Sequence, residues 1–488
     1  MPPNALLKFS LLSLTLRSSP YVNERIALSL TLTLVSTNPS RNYEKLGEVA
    51  VSTPFEVSAA VTKARTAQPS WQSLGVKGRI AILERLVHVF KNRKDAFSLM
   101  TCREMGRPIV GSEATMDLGL QYWDWYLAHG EECLKPYETY RDDKEIAEVF
   151  HEPAGVASVI VPWNFPFSNF TWGVGQNLVA GNTVVFKISE EVPLFGKLLD
   201  AAFFEAGVPD GVFNQVYGAG DVGAALLEQD VDLMCFTGST TTGRRVYQAA
   251  TDKMIPALLE MGGSDPGIVF ADADVPRIIE KIYEARFRNS GQICNALKRL
   301  IVHESRSEEV VSELTSMLKS KRVGDPEDRT TDIGPLCAKR QLELVESQVE
   351  DALSKGATIV IGGKKPEGLQ GAYYEPTLLT NVTMDMRAWR EEVFGPVLPI
   401  VTFKTNDEAI SLAKDTAYGL GSYIFTEDKE LAVKIASYMR VGMVQINKSS
   451  ATRACNPFGG RGMSGLGMEN GIFGFHDVCR RKLIVRER

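Results

Sequence analysis

From about residue 150 onward, short β-branched runs alternate with helical stretches, and this rhythm limits the fold more than any other feature of the chain. "GVASVIVPWNF" (155–165) reads as a strand ending at Pro162, "NTVVFKIS" (182–189) as a second, and "PLFGKLLDAAFFEAG" (193–207) as a helix stopped by Gly207. "VFNQVYG", a helix over 221–229, "VDLMCFTGS", a helix from about 240 and "PALLEMGG" continue the pattern. Such alternation implies a parallel sheet with right-handed crossovers, since parallel neighbours need a long crossover connection. A second alternating region begins near 263 with "DPGIVF", a helix over 275–289, "RLIVHE", "ATIVIGG", "VLPIVTF" and "SYIFT". Two α/β domains in succession are expected. Residues 55–106 read as helices, opened by a capping Thr53 ahead of Pro54. The stretches 127–148 and 476–488 read as strands outside both domains.

A chain of 488 residues is too long for one core, which agrees with several domains. The formal net charge of −6, without a Lys/Arg-rich block, gives no footprint for nucleic acid. Seven cysteines with no CxxC pair argue against a disulfide framework or a metal site and for a reducing, cytoplasmic setting. Residues 1–36 are Leu- and Ser-rich and read as an N-terminal extension outside the fold, either dispensable or a targeting segment. Their apolar runs, about 10 residues at most, are too short to span a bilayer, so no membrane role is expected.

A nucleotide has two candidate seats. "YGAGDVG" places Gly218, Gly220 and Gly223 in the dinucleotide fingerprint between a strand and a helix. The tip of the next strand, however, carries Thr237 and Ser239 instead of the acid that would hold a ribose. The competing turn is "FTGSTTTG" (236–243), where Gly238 and Ser239 stand at a strand-to-helix junction able to face a phosphate. Lys187 and Glu190 in "FKISE" would add a cation and a ribose-binding carboxylate.

Cys294, in "RNSGQICNALKR", is one thiol among seven. To be reactive it needs thiolate character, an oxyanion stabiliser, a base and an electron acceptor. The ordered motifs "VPWNFPFSN", "KISE", "FTGSTTTG", "LEMGGSDP", "FRNSGQICNA", "EEVFGPV" and "NPFGGRGMSGLG" resemble those of the NAD(P)-dependent aldehyde dehydrogenase superfamily from about residue 37 to the C-terminus. The resemblance implies a Rossmann-type cofactor domain, an α/β catalytic domain and a small β oligomerisation arm. It assigns 37–126 and 149–261 to the first, 262–469 to the second, and 127–148 with 470–488 to the arm of a homodimer or homotetramer.

The same resemblance implies Cys294 as nucleophile, Asn164 as oxyanion donor and Glu260 as the base that activates water. It also implies cofactor contacts from Trp163, Lys187, Glu190, Gly238, Ser239, Gly262, Glu392 and Phe394, and so makes "GAGDVG" a decoy. Lying among Leu258, Leu259 and Met261, Glu260 is expected to have a raised pKa. A carboxylate at 190 would repel a 2′-phosphate, which favours NAD over NADP. A phosphorylating dehydrogenase would need a His base, and none of the five histidines falls in a shared motif. A CoA-acylating relative would dispense with Glu260. The substrate is an aldehyde, but which one is left to Phe165, Trp172, Arg453 and Phe458. Gly173 and Trp172 stand where many relatives carry Lys or Arg, whereas "GGSDP" and Arg453 resemble enzymes for succinate semialdehyde.

Overall fold

The computed structural model describes residues 32–450 and 452–488. Strands β1 (Thr33–Asn38) and β2 (Glu44–Ala50) form an antiparallel hairpin that leads into the helical stretch. Helix Pro54–Ser73 starts as the sequence demands: the Thr53 side chain accepts from Glu56 N, and the Glu56 carboxylate accepts from Thr53 N, a complete capping box. Helices Gly75–Asn92, Lys94–Met105 and Ile109–Cys133 follow. The last of these corrects the expected arm, because 127–133 is still helical. Strands β3 (Tyr137–Arg141) and β4 (Glu145–Pro153) then form the arm proper, which runs five residues past the expected end at 148.

Five parallel strands come next: β5 (Val156–Ile160), β6 (Thr183–Lys187), β7 (Phe213–Val216), β8 (Leu233–Gly238) and β9 (Ala257–Met261). Each is apolar on both faces because helices cover both sides, and this is why the sequence shows runs instead of alternation. Their spatial order is β9-β8-β5-β6-β7. The chain winds outward through β5, β6 and β7, then returns to the other side of β5 at β8. That reversal makes the carboxyl ends of β5 and β8 a topological switch point, where open α/β sheets place their ligands.

The second sheet holds β10 (Asp265–Val269), β11 (Leu297–His303), β12 (Thr358–Ile361), β13 (Thr377–Thr380), β14 (Val397–Phe403), β15 (Gly421–Phe425) and β16 (Met443–Ile446). Its order is β12-β13-β14-β11-β10-β15-β16, parallel except for β12. The chain then returns to the first sheet. Strand β17 (Gly465–Leu466) pairs antiparallel with β9, putting Gly465 opposite Glu260, so these residues leave the domain expected to run to 469. Finally β18 (Cys479–Glu487) adds to β4 and completes the three-stranded arm.

Residues Thr33–Ser36 of the expected extension are a paired strand instead. Ser36 Oγ donates to the buried Glu104 carboxylate at 2.5 Å. The rest of that extension, 1–31, lies outside the described residues.

Candidate active site

A cavity of about 310 Å³ lies beside Asp265 in the second sheet, but the one bordered by the expected groups is a separate cavity of about 280 Å³. It opens at the switch point, where Trp163 and Asn164 follow β5, Gly238 and Ser239 end β8, and Glu260 and Gly262 end β9. From the second sheet's side, Cys294, Glu392 and Phe394 complete the wall. Gly218, Gly220 and Gly223 are not on this wall. They follow β7 at the sheet edge, away from the switch point.

Cys294 is presented by an unusual turn. Asn289, Ser290 and Gly291 have φ of 55°, 53° and 72°, three consecutive left-handed residues. A side chain is excluded at Gly291, since its Cβ would lie 2.2 Å from the Gly395 carbonyl oxygen. The opposing loop is held by Arg286, which is buried and donates from Nε to Val397 O at 2.8 Å and from Nη2 to Val393 O at 3.1 Å. Gln292 braces the turn, its Oε1 accepting from Cys337 N at 2.9 Å.

Asn164 is buried, and its Nδ2 donates to Gln292 O at 3.0 Å. One N–H is thus spent on holding the side chain beside the nucleophile turn, and the second is left for a ligand. Asn289 Nδ2 donates to the same Gln292 O at 3.2 Å and to Asn164 O at 3.1 Å. Asn164 Oδ1 accepts from Asn169 Nδ2 at 3.1 Å.

Glu260 is 2% exposed, and neither carboxylate oxygen has a hydrogen-bond partner of ordinary geometry. Burial raises its pKa well above the usual range, Glu469 and Glu392 add to the shift, and the nearby Cys294 thiol and Lys298 oppose it. The Cys294 thiol is likewise pushed up by burial and by Glu260, with Lys298 opposing. Two groups that each prefer to be neutral face each other.

Several contributors carry no motif and went unread in the sequence. Lys298 is 1% exposed; its Nζ pairs with Glu392 Oε1 at 2.9 Å and donates to the Cys294 carbonyl. Glu469 is buried and pushed up to about 8 by burial. Arg340, on the cavity wall, pairs with Glu191 at 2.7 Å and with Glu190 at 3.6 Å. Of the expected contacts, Lys187 is buried with Nζ 3.9 Å from Glu190, so both meet the cavity through Arg340 instead of lining it directly.

Glu392 accepts from Gly263 N at 3.1 Å and passes so close to Gly262 that a Cβ there would sit 2.0 Å from Oε2. Phe394 stands edge-on to Trp163, ring centroids 5.6 Å apart. A nucleotide fits this set. Ser239 caps helix Thr240–Asp252 by accepting from Thr242 N, which leaves the first-turn N–H groups facing outward for a phosphate.

The four expected substrate residues separate. Trp172 lines the cavity, with Phe458 packed behind it at 4.8 Å and Tyr122 at 5.3 Å. Phe165 points away and lies under the Arg107 guanidinium at 4.7 Å. Arg453 is exposed and is not among the lining residues.

The model of the aldehyde dehydrogenase family matches residues 29–484. The chain is 34% identical to the peroxisomal aminoaldehyde dehydrogenase 1 of Pisum sativum, covering 96% of this chain and 93% of that protein. It is also 34% identical to the NADP(+) succinate-semialdehyde dehydrogenase of Deinococcus radiodurans, over 92% of this chain and 96% of that protein. Among solved structures, an NADP-dependent enzyme of E. coli superposes with a TM-score of 0.90 at 32% identity, covering 94% of this chain and 95% of its own. The NAD+ complex of a Bacillus cereus aldehyde dehydrogenase gives 0.90 at 30% identity, covering 93% of each chain. Likeness on this scale, reaching nearly end to end in both directions, establishes that the chain belongs to the aldehyde dehydrogenase family and oxidises an aldehyde with NAD(P)+.

Proposed function

We propose that Cys294, Asn164 and Glu260 carry out this oxidation on a small or medium neutral aldehyde. The observation that carries the reading is the orphan carboxylate of Glu260, buried at the cavity wall beside the only thiol that lines it. Cys294 Sγ releases its proton to solvent and attacks the carbonyl carbon, forming a C–S bond and an oxyanion. The free N–H of Asn164 and the Cys294 backbone N–H stabilise that charge. A bound NAD(P)+ would supply the hydride acceptor, and loss of hydride from the Cys294 thiohemiacetal would leave a Cys294 thioester. Glu260, having released its proton, then takes one from water; the hydroxide attacks the thioester carbon, the C–S bond breaks, and the acid leaves.

Trp163, Gly238, Ser239, Gly262, Glu392 and Phe394 hold the cofactor in this reading, with Lys187 and Glu190 at its ribose end. NAD is preferred because Glu190 opposes a 2′-phosphate. The charged residues on the cavity wall are Glu260, Glu392 and Arg340, and Arg340 is already engaged by two acids. A wall whose arginine is already paired, with an aromatic face at Trp172 and Phe394, offers a second carboxylate on the substrate no free cation. An acidic aldehyde is the second reading, since the Deinococcus relative is named for one.

The domain division proposed is the expected one, with its arm shifted to 137–153 and 479–487. We read that arm as a homo-oligomer contact because it exposes Tyr137, Tyr140, Val485 and Leu483, the last 59% exposed. Among the described residues no helix is long and apolar enough to cross a membrane, and seven unbridged cysteines support a cytoplasmic, reducing setting.

The test is Cys294→Ala assayed for NADH release with propanal, lactaldehyde, glyceraldehyde and succinate semialdehyde. Activity should vanish while NAD+ binding survives; retained activity refutes the nucleophile. In the wild-type panel, a clear preference for succinate semialdehyde would overturn the neutral-aldehyde reading alone.

A further inference from the structure

We infer that Asn169 is a positioning residue for the oxyanion site, one that holds the Asn164 carboxamide in the only orientation able to donate to substrate. The inference rests on the assignment of Asn164 as oxyanion donor.

A carboxamide is nearly symmetric in outline, and a half-turn about its last torsion exchanges donor for acceptor. Turned the wrong way, Asn164 would offer the developing oxyanion a lone pair and repel it. Something must therefore choose the orientation. The carbonyl of Gln292, which accepts from Asn164 Nδ2 at 3.0 Å, favours one orientation from the donor side. Asn169 Nδ2, 3.1 Å from Asn164 Oδ1, favours the same orientation from the acceptor side, and a flip would destroy both contacts. The flipped state would set an N–H against an N–H.

The placement of Asn169 is itself rigid. It is 7% exposed, borders the same cavity, and sits in helix Pro166–Phe170 with its own N–H bound to Phe165 O at 2.9 Å. The wider π turn Thr171–Gly175 follows directly. Within it, Gly173 packs so closely on β5 that an added Cβ would lie 2.6 Å from Val159 Cγ1. The segment cannot slide to relieve a lost contact. A second effect acts in the same direction: accepting a hydrogen bond at Oδ1 polarises the amide and makes its N–H a better donor.

The experiment is a double-mutant cycle on the full chain, using single-turnover acylation by propanal at saturating NAD+. It compares wild type, Asn164→Ala, Asn169→Leu and the double variant. Leucine has the same branched heavy-atom skeleton as asparagine and cannot donate. Asn169→Leu should slow acylation about tenfold to 100-fold, near the cost of losing an oxyanion donor, with NAD+ affinity unchanged. In the Asn164→Ala background the same change should cost less than about twofold, because the group it orients is gone. Asn169→Gln, which keeps a donor, should recover part of the rate. Equal losses in both backgrounds, or full activity in Asn169→Leu, would overturn the inference and leave the oxyanion assignment standing. Full activity in Asn164→Ala would overturn that assignment and this inference together. Should the leucine variant misfold, Asn169→Ala closes the same cycle, since alanine cannot donate either.

Discussion

Two fully buried glutamates, one in a helix and one in a strand of the first sheet, have opposite surroundings. Glu104, in the last turn of helix Lys94–Met105, accepts from Ser36 Oγ at 2.5 Å, Leu194 N at 2.9 Å and Phe195 N at 2.8 Å. The two amides belong to the first turn of helix Pro193–Glu205, where N–H groups lack carbonyl partners and the helix dipole favours a negative charge. Burial raises Glu104 only to about 7 because these three donors oppose it. Glu260 has no such donors and two acidic neighbours, and is raised well above the ordinary range. Burial alone therefore says little about chemistry. An acceptor that the fold leaves empty beside a cavity says much more.

The largest test of that contrast is Glu260→Gln. Turnover should fall about 10²- to 10⁴-fold, the usual worth of a positioned base, while a single burst of NADH persists. Its folding stability should hold, since no hydrogen bond is lost. Normal turnover would erase the distinction between the two sites.

Lys298→Met probes an intermediate case, a half-buried acid paired with a buried cation. Stranding Glu392 should cost about 3 kcal/mol of unfolding free energy by urea titration and raise the KM for NAD+. No loss of stability would mean that Glu392 escapes to water.

Next comes Glu104→Ala, which strands three donors. A loss of about 2 kcal/mol with unchanged kcat is expected from denaturant titration and steady-state assays. A fall in kcat would move Glu104 into the catalytic class.

The smallest effect is in pH. Each glutamate has a folded pKa above its unfolded value of about 4.3, so each favours the protonated fold. That stabilisation is complete below the unfolded value and is lost as pH rises through the folded one. Wild type should thus lose stability toward pH 7 more steeply than Glu104→Gln, and as pH rises from the unfolded value more steeply than Glu260→Gln. Parallel stability curves would contradict the two assignments. The same ionisation of Glu260 should give kcat a rising alkaline limb that Glu260→Gln lacks.

Much of this was legible in the residues. The parallel strands could be read because burial on both faces leaves unbroken apolar runs such as "VASVI" and "TVVFK". Cys294, Asn164 and Glu260 stood in recognisable strings, and Glu260's apolar neighbours foretold its raised pKa. Lys298 did not stand out, because a lysine opening "LKRLIVH" looks like a solvated strand end until Glu392 is folded against it. Asn169 resembled an ordinary helical polar residue for the same reason: its partner is set by a turn, not by a period. Residues 33–36 were lost to the Leu-rich composition before them, although strand pairing and the Ser36–Glu104 bond make them part of the fold.

The left-handed run at 289–291 carries a last consequence. Because Gly291 rests against the Gly395 carbonyl, the turn bearing the thiol cannot shift toward the loop bearing Glu392 and Phe394. Under the proposed function, the spacing between the sulfur and the cofactor's seat is then common to every substrate, whatever its size. A lineage built on this frame can change its diet at Trp172 and Phe458, or its coenzyme at Glu190 and Arg340, without retuning the distance over which electrons leave the substrate.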